Sequence, residues 1–258
     1  MVTSESSSGV QALNLHCRES EQKALLMLKD GFHTSLARFS SWIPEEDCCK
    51  WRGVGCNNET GHVISLDLHS PDSSELLQGP AALTGFRVSS MKVLDLSSVY
   101  LGDVVNWLDA VNMLPSLVEL RLVSCQLHNL PQSLPSLNFS SLEVLDLSHN
   151  GFYHSLIPNW LVEVSHTLHL LNLTTCSLQG SIPHAIVNFT SLVVLDFSFN
   201  YLKGSIPHGF GSMTSLAVLD LSFNYLEGPL PATLGLIQES HHFKHSPLRE
   251  LRLPTIFC

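Results

Sequence analysis

Carboxylate side chains recur along this chain at nearly regular intervals, each directly after a leucine. They belong to a column of positions 24 to 28 residues apart, occupied by Asp67, Asp95, Arg121, Asp146, Asn172, Asp196 and Asp220. Such a column could serve acid–base catalysis or attract a basic or hydroxyl-rich ligand. An open, wet surface lacks the desolvation that separates the pKa values of two carboxyl groups. We therefore expect a binding surface and not an enzyme.

The other chemistry-bearing residues give no sign of a catalytic or metal site. We find no phosphate-binding loop, nucleophile elbow or His-Glu-x-x-His motif, and we expect neither a cofactor nor a metal. His241, His242 and His245 could ligate a metal, but we favour an irregular loop there. The formal net charge of −10 and the pI of about 5.7 argue against a nucleic-acid partner.

Four cysteines, Cys17, Cys48, Cys49 and Cys56, fall within a stretch of 40 residues. This density suits a disulfide-stapled module in an oxidising environment. A zinc site is the alternative, but Cys-Cys-x6-Cys lacks the usual Cys-x2-Cys spacing and the nearby tryptophans suggest packing. The adjacent Cys48 and Cys49 are not expected to pair with each other.

The elements that position these residues follow from a repeated motif, Leu-x-x-Leu-x-Leu-x-x-[Asn/Cys]-x-Leu. This is the leucine-rich-repeat signature, which predicts a solenoid that binds along one face. Its first position recurs at Val63, Met91, Leu117, Leu142, Leu168, Leu192, Leu216 and, weakly, Leu248. Each repeat adds a short strand whose side chains alternate between core and solvent. We expect an α/β leucine-rich-repeat solenoid with a parallel concave β-sheet of about seven to eight repeats.

The ninth position of each repeat should turn inward and satisfy backbone groups at the bend. It holds Asn150, Asn200 and Asn224, whereas Cys125 and Cys176 occupy it in two other repeats. These cysteines lie two strands apart, about 9.6 Å, which exceeds the reach of a disulfide. We therefore predict two buried free thiols. Cys258 has no evident partner.

A second motif, which we call the punctuation element, follows the strand in three repeats. Gly180-Ser-Ile-Pro183 recurs as Gly204-Ser-Ile-Pro207 and Gly228-Pro-Leu-Pro231. An element of the form Leu-x-Gly-x-[Ile/Leu]-Pro resembles the plant-specific subclass of leucine-rich repeats. The third and fourth repeats depart from it, so we expect their convex sides to be less regular.

The amino-terminal part reads as a cap, because a solenoid must cover the apolar end of its first repeat. An amphipathic helix is expected, with Ser20 as its cap and Gly31 at its end. We divide the chain into an unassigned segment 1–16, a cysteine cap 17–62, plant-type repeats 63–236 and an irregular, truncated last repeat 237–258. Neither a secretory signal nor a membrane span is visible. We interpret the chain as an extracellular segment without its native ends, or as a truncated gene model.

Three segments resemble plant leucine-rich-repeat receptor-like proteins: Cys17-Arg-Glu-Ser-Glu-Gln-Lys-Ala-Leu-Leu, Asp47-Cys-Cys-Lys-Trp-Arg-Gly-Val-Gly-Cys56 and Thr60-Gly-His-Val-Ile-Ser-Leu-Asp-Leu68. The stretch from Trp107 to Leu120 looks closest to receptors for the fungal ethylene-inducing xylanase elicitor. The resemblance implies the disulfides Cys17–Cys48 and Cys49–Cys56. Those receptors carry many more repeats, an acidic juxtamembrane segment, one membrane span and a short cytoplasmic tail.

The expected ligand-binding residues lie on the concave face, where the third, fifth, seventh and eighth positions of each repeat should face solvent. They are Glu119, Arg121, Asp146, His149, Asp196, Phe199, Asp220 and Phe223. Glu119 and Arg121 depart from the family consensus and are the main specificity candidates. Phe199 and Phe223, about 5 Å apart in adjacent repeats, could anchor a partner. The alternative is that Leu-Asp-Leu-Ser and the phenylalanines are ordinary consensus residues.

Four Asn-x-[Ser/Thr] sequons predict glycosylation at Asn58, Asn138, Asn172 and Asn188. Asn138 and Asn188 share one register off the binding strand, on a side or back surface. Asn172 falls in mid-strand on the concave side, where a glycan would obstruct binding. An unoccupied sequon is the alternative there.

The resemblance implies the extracellular ligand-recognition domain of a plant cell-surface receptor-like protein in defence signalling. Its ligand would be a pathogen elicitor or peptide, with a fungal glycanase as one possibility, and a co-receptor kinase would relay the signal. The expected location is extracellular or apoplastic, on the cell-surface side of the plasma membrane. The alternatives are a secreted inhibitor of pathogen cell-wall-degrading enzymes, similar to polygalacturonase inhibitors, and a truncated, nonfunctional paralogue.

Overall fold

A computed structural model describes residues 16–32, 38–69, 77–80, 86–232, 234 and 250–253. Its main feature is a nine-stranded sheet. The strands, in their order across the sheet, are β1 (Val54–Cys56), β2 (Val63–Asp67), β4 (Val93–Asp95), β6 (Glu119–Arg121), β7 (Val144–Asp146), β8 (Leu170–Asn172), β10 (Val194–Asp196), β12 (Val218–Asp220) and β14 (Glu250–Arg252). Only β1 is antiparallel to its neighbour, so the parallel leucine-rich-repeat sheet is confirmed.

The register of the parallel strands is set by the leucine at the fourth position of each repeat. These leucines face one another across neighbouring strands and are at most 2% exposed: Leu66, Leu94, Leu120, Leu145, Leu171, Leu195 and Leu219. Each buried leucine stabilises the fold by about 1.5–3 kcal/mol. A slip of one residue would turn this set out to solvent, so the leucines also fix which side chains face outward.

A smaller sheet follows the strands in the later repeats. It joins β9 (Gln179–Gly180), β11 (Tyr201–Gly204) and β13 (Tyr225–Leu226), while β3 (Leu77–Gln78) pairs separately with β5 (Val99–Tyr100). The glycines of the three punctuation elements have φ of +80°, +78° and +87°, a conformation that glycine adopts without strain. The third and fourth repeats, which are fully described, add no strand here, in agreement with their departure from the element.

The cap contains helix α1 (Glu19–Asp30) and a 3₁₀ helix at Cys48–Lys50. The return segments of the repeats contain shorter helices, which are α2 (Trp107–Val111) and 3₁₀ helices at Asn159–Val164, His184–Asn188 and His208–Ser212. Pro158, Pro183 and Pro207 immediately precede the last three, in extended conformation. Proline fixes φ and lacks the N–H that the first helical turn would leave unpaired, so it marks these helix starts.

Helix α1 covers the first repeat, as expected of a cap. Its N-cap is Arg18, so the prediction of Ser20 was wrong: Ser20 lies exposed inside the first turn. Gly31 ends the helix as predicted. The buried face of α1 joins an aromatic cluster in which Trp42 and Trp51 stack with ring centroids 5.1 Å apart. This apolar contact shields the end of the solenoid core from water.

Two disulfides staple the cap. Cys17 pairs with Cys48 and Cys49 pairs with Cys56, each with a Cα–Cα distance of 5.5 Å. These are the pairs that the resemblance implied. The sulfur atoms of Cys17, Cys48 and Cys49 lie within 4.8 Å of one another, but all three are oxidised. Since zinc binds thiolates, the zinc alternative is wrong for this cluster.

A buried carboxylate joins the cap to the first two repeats. Glu21 of α1 is 5% exposed and accepts hydrogen bonds from the Val63 amide at 2.7 Å and the Ser90 hydroxyl at 2.6 Å. Its carboxylate also lies 3.0 Å from Nδ1 of His62. Burial raises the pKa of Glu21, but these hydrogen bonds and His62 outweigh burial and hold the pKa below its ordinary value.

Candidate ligand-binding face

Asparagine side chains fix the bend that follows each strand. The Oδ1 of Asn200 accepts from the amides of Cys176 and Leu178 at 3.1 and 3.0 Å. Its Nδ2 donates to the carbonyls of Leu173 and Phe197 at 2.8 and 3.0 Å. Asn150 makes the equivalent contacts two repeats earlier. The side chain thus binds two neighbouring repeats together and holds the exposed positions beside it in place.

Cysteine takes over part of this role in two repeats. Cys125 and Cys176 are buried free thiols, and their Sγ atoms donate to the carbonyls of Leu96 and Leu147 at 3.1 Å. Burial raises the pKa of each thiol to about 12. Because the thiolate is the reactive form, this shift disfavours nucleophilic attack, while the hydrogen bonds of the two thiols support the bend. Cys258 and the three histidines His241, His242 and His245 lie outside the described residues.

The eighth position of six successive repeats has a left-handed backbone. The φ angles lie between 53° and 63° at Ser98, Ser124, His149, Thr175, Phe199 and Phe223. This conformation costs about 1–2 kcal/mol for a residue other than glycine. The hydrogen bonds at the neighbouring ninth position offset this cost, and the turn leaves the eighth-position side chain on the surface. The repeat pattern by itself gave no signal for this geometry.

The fifth-position column is less open than its sequence suggested. Asp146 and Asp220 are only 8% exposed, so the prediction that they face solvent was wrong. Asp146 lies under Arg121 and Asn172, which contact its Oδ2 at 3.9 and 3.3 Å. Asp220 lies 3.7 Å from Nη1 of Arg252. Long neighbouring side chains cover both carboxylates, because adjacent strands are only about 4.8 Å apart.

The prediction that the seventh-position serines face solvent, which rested on the alternation of side chains along a strand, was also wrong. Ser148 and Ser198 are 3% exposed, where solvent-facing side chains were expected. The reason is a local turn: the Asp196 carboxylate accepts from the amide and hydroxyl of Ser198 at 2.9 and 2.6 Å. Asp95, Asp146, Asn172 and Asp220 repeat the bond to the amide two residues on. Much of the Leu-Asp-Leu-Ser pattern is therefore structural.

Glu119 and Arg121 form an ion pair on β6, where Nε of Arg121 lies 2.5 Å from Oε1 of Glu119. Burial lowers the pKa of Arg121, but the hydrogen bond to Glu119 and the charges of Asp146 and Asp95 outweigh it and raise the pKa. The two side chains stay 29% and 34% exposed, so both are open to a ligand. The structure brings these two predicted specificity residues together.

A second copy of this ion pair lies at the far edge of the sheet. Nη2 of Arg252 lies 2.5 Å from Oε1 of Glu250 on β14, and the arginine also contacts Asp220. We did not predict this pair. The signal was present, because Glu-Leu-Arg-Leu occurs at 119–122 and again at 250–253. The two pairs bracket the strands that carry Asn172 and Asp196.

Aromatic rings line the edge of the sheet in the sixth and seventh repeats. Phe199 and Phe223 stack with ring centroids 4.1 Å apart and planes at 13°, and they are 53% and 66% exposed. Tyr201 and Tyr225 stack beside them at 6.1 Å. The tyrosine pair was not predicted, although Phe-Asn-Tyr-Leu recurs at 199–202 and 223–226. Stacked, exposed aromatic side chains are suited to anchor a partner.

At the opposite end of the column, Asp67, His69 and Asp95 place one ligand atom each within 4.8 Å of one another. Nδ1 of His69 lies 2.5 Å from the Asp67 carboxylate, and both side chains are about half exposed. The geometry is that of a solvated hydrogen bond at the surface, whose contribution to stability is small.

The four sequons differ in their surroundings. Asn58, Asn138 and Asn188 are exposed, which leaves each open to modification. Asn172 lies in β8, where its Nδ2 donates to Asp146 and its Oδ1 accepts from the Thr174 amide at 3.0 Å. A glycan on Nδ2 would leave one N–H, so Nδ2 could keep its bond to Asp146 only in the orientation that points the glycan away from it. Glycosylation at all four positions stays a prediction.

Comparisons with known sequences agree with this architecture. The family described as leucine rich repeat N-terminal domain matches residues 18–57, and leucine rich repeat families match residues 141–163 and 166–226. Receptor-like protein EIX2 of Solanum lycopersicum is 34% identical over 65% of this chain and 12% of that relative. Receptor-like protein EIX1 of the same plant is 31% identical over 77% of this chain and 15% of that relative. The chain thus spans under a sixth of the length of either relative.

Solved structures share the fold. A plant ice-binding protein superposes with a TM-score of 0.68 and 28% identity, over 83% of this chain and 66% of that chain. The leucine-rich-repeat ectodomain of the Arabidopsis thaliana receptor kinase GASSHO1/SCHENGEN3 gives 0.67 at 23% identity, over 93% of this chain and 30% of that chain. Among the described residues, no helix has the length and apolar character needed to cross a membrane.

Proposed function

The chain belongs to the leucine-rich-repeat proteins of the plant receptor-like class, and from this premise we propose its function. We propose that its concave face recognises a protein or peptide ligand in defence signalling. The chain would form part of the extracellular portion of a cell-surface receptor. The similarity to the tomato receptor-like proteins supports the class. This similarity does not identify the ligand, which depends on the chemistry of the concave surface.

The observation that carries the proposal is the ion pair of Glu119 and Arg121, which, with its copy Glu250–Arg252 at the far edge of the sheet, interrupts a repetitive column. The aspartates that recur in this column would offer similar contacts in successive repeats, so by themselves they do not fix the register of a ligand. Glu119 and Arg121 break this uniformity with two charged, partly exposed side chains. Charged groups of this kind orient a partner and set specificity.

The predicted binding residues then divide into two roles. Glu119, Arg121, His149, Asp196, Phe199 and Phe223 keep exposed or half-exposed side chains and would contact the ligand. Asp146 and Asp220 are covered and would hold Arg121 and Arg252 in place. We propose that the cap 17–62 and the repeats 63–236 act as one recognition unit. Relay through a co-receptor kinase is part of the proposal, as the resemblance to receptor-like proteins implies.

The test uses a fungal xylanase as the probe glycanase and the whole chain, secreted from plant cells, on a biosensor surface. Arg121→Gln and Glu119→Gln are expected to weaken binding at least about tenfold, which corresponds to 1.4 kcal/mol. The matched control is Glu163→Gln, which changes an exposed carboxylate in the 3₁₀ helix Asn159–Val164, outside the sheet. Equal losses for all three variants would contradict a concave site. No binding by the unmodified chain would remove the glycanase as its ligand.

A further inference from the structure

The eighth-position side chains form a ladder along the edge of the sheet, and one step of the ladder is small. Four successive repeats place His149, Thr175, Phe199 and Phe223 there, all exposed and all with the same left-handed backbone. Phe199 and Phe223 already stack on each other. Thr175 has no ring that could stack on the other face of Phe199, which is 53% exposed. We name the space over Thr175, between His149 and Phe199, the open rung.

The width of the open rung matches one flat group. Adjacent rungs lie 4.1 Å apart where two rings stack. His149 and Phe199 are two repeats apart, which corresponds to roughly 8–10 Å at the spacing of neighbouring strands. A planar group in contact with a ring on each side needs about 7–8 Å. The tenth-position residues of these two repeats, Gly151 and Ser177, are also small, and the exposed ring of Tyr153 lies against Gly151.

The charge beside the open rung favours a cation. The fifth position of the same repeat is the uncharged Asn172, flanked by Asp146 and Asp196. Asp146 is covered and engaged with Arg121 and Asn172. Asp196 uses Oδ1 to accept from Ser198, while its Oδ2 has no hydrogen-bond partner or counter-ion among the residues that the structure describes. Asp196 is partly exposed and pairs with Asn172 on the neighbouring strand, so this oxygen is available to a donor bound at that point of the face.

We propose that the open rung binds the guanidinium group of an arginine in a basic peptide ligand, stacked on Phe199 and hydrogen-bonded to Asp196. The inference rests on the proposed ligand-binding function and names the chemistry of the ligand. A guanidinium is planar, stacks on aromatic faces and pairs with carboxylates through several N–H groups. The net charge of −10 also attracts a basic peptide. An ammonium group is compact and strongly hydrated, so lysine fits the slot less well.

The probe is Nα-acetyl-arginine methylamide, titrated into the whole chain while the side-chain NMR signals of Thr175, Phe199 and His149 are followed. We expect saturable shifts at millimolar concentration and at least fivefold weaker binding of the neutral, isosteric citrulline analogue. Equal binding of the two compounds would overturn the role of charge. The absence of saturable shifts with the arginine compound would overturn the site.

Two variants separate the site from the fold. Thr175→Phe fills the open rung with a ring at a backbone angle that Phe199 already adopts, and it should abolish binding of the probe. Ser124→Phe makes the same change at an exposed eighth position outside the open rung and should bind normally. Asp196→Asn keeps the slot and removes the charge, so binding should fall about fivefold or more. Unchanged binding by Thr175→Phe would contradict the proposal.

The outcome is independent of the glycanase experiment, because the probe needs no natural ligand. A chain that binds the arginine compound but no glycanase keeps the open rung and loses the proposed defence ligand. A chain that binds the glycanase but not the arginine compound keeps the concave site and loses the open rung.

Discussion

Arg121 on β6 reaches Asp146 on the neighbouring strand, with 3.9 Å between its Nη1 and the Asp146 Oδ2, while its Nε binds Glu119. This contact changes the character of the acidic column, because it covers one carboxylate and presents an arginine in its place. The same exchange occurs at Arg252 and Asp220. The exposed charge pattern of the face therefore depends on pairs of strands, and it is not a simple copy of the fifth-position residues.

Replacing Arg121 by methionine should lower the free energy of unfolding by about 1 kcal/mol. The arginine is one-third exposed, so solvent screens its ion pairs and limits their contribution. Urea unfolding followed by circular dichroism measures the effect. Arg252→Met is the matched control, and its loss should be smaller because that side chain is 64% exposed. A larger loss for Arg252→Met than for Arg121→Met would contradict this account.

Glu21→Gln should destabilise the chain by about 2 kcal/mol at neutral pH, since the buried carboxylate accepts charge-assisted hydrogen bonds. The pKa of Glu21 is depressed by folding, so its stabilisation is present above the unfolded pKa and is lost as pH falls through the folded value. The unfolding free energies of variant and parent should therefore begin to converge as the pH falls below about 4.3, the ordinary value for a glutamate, and should meet below the folded pKa.

The control for this pH dependence is Glu19→Gln on the same helix. Glu19 is exposed and pairs with Lys23 alone among the residues that the structure describes, so its replacement should change stability much less. Urea midpoints measured from pH 7 down to pH 3 compare the three proteins. A gap between Glu21→Gln and the parent that stays constant over this range would disprove a carboxylate role.

Asn200→Leu should lower the free energy of unfolding by about 2–4 kcal/mol. The amides of Cys176 and Leu178 would lose their shared acceptor in the core, and a buried amide without a partner costs about 1–3 kcal/mol. Asn224→Leu removes only one accepted bond, from the Leu202 amide, and its side chain is less buried. We expect a clearly smaller loss for Asn224→Leu in guanidinium unfolding. Equal losses would show that the number of accepted bonds does not set the cost.

Cys125 and Cys176 should resist alkylation in the folded protein. Burial raises the pKa of both thiols to about 12, so the thiolate is scarce at pH 8. In a Cys258→Ser background, iodoacetamide at pH 8 should label neither residue until denaturant unfolds the chain. Mass spectrometry of peptides gives the readout. Rapid labelling of one thiol under native conditions would show local opening of the fold at that repeat.

The amino-acid sequence by itself determined the solenoid, the parallel sheet and the identity of the core leucines. These follow from a period of about 25 residues and from apolar positions within it, both of which are local properties of the chain. The inward position of Cys125 and Cys176 followed from the same register. Ser20 shows where local reasoning fails, because the N-cap is Arg18, two residues before the residue with the best capping side chain.

Only the tertiary structure decided which predicted binding residues remain open. Asp146 and Asp196 occupy equivalent positions in near-identical strands, yet Asp146 is covered and Asp196 keeps a free carboxylate oxygen among the described residues. The difference arises from Arg121 and Asn172, which are 25 and 26 residues from Asp146 in sequence but lie on the adjacent strands. The pairing of strands brings these side chains together. For that reason, a single repeat cannot reveal the surface that two neighbouring repeats create.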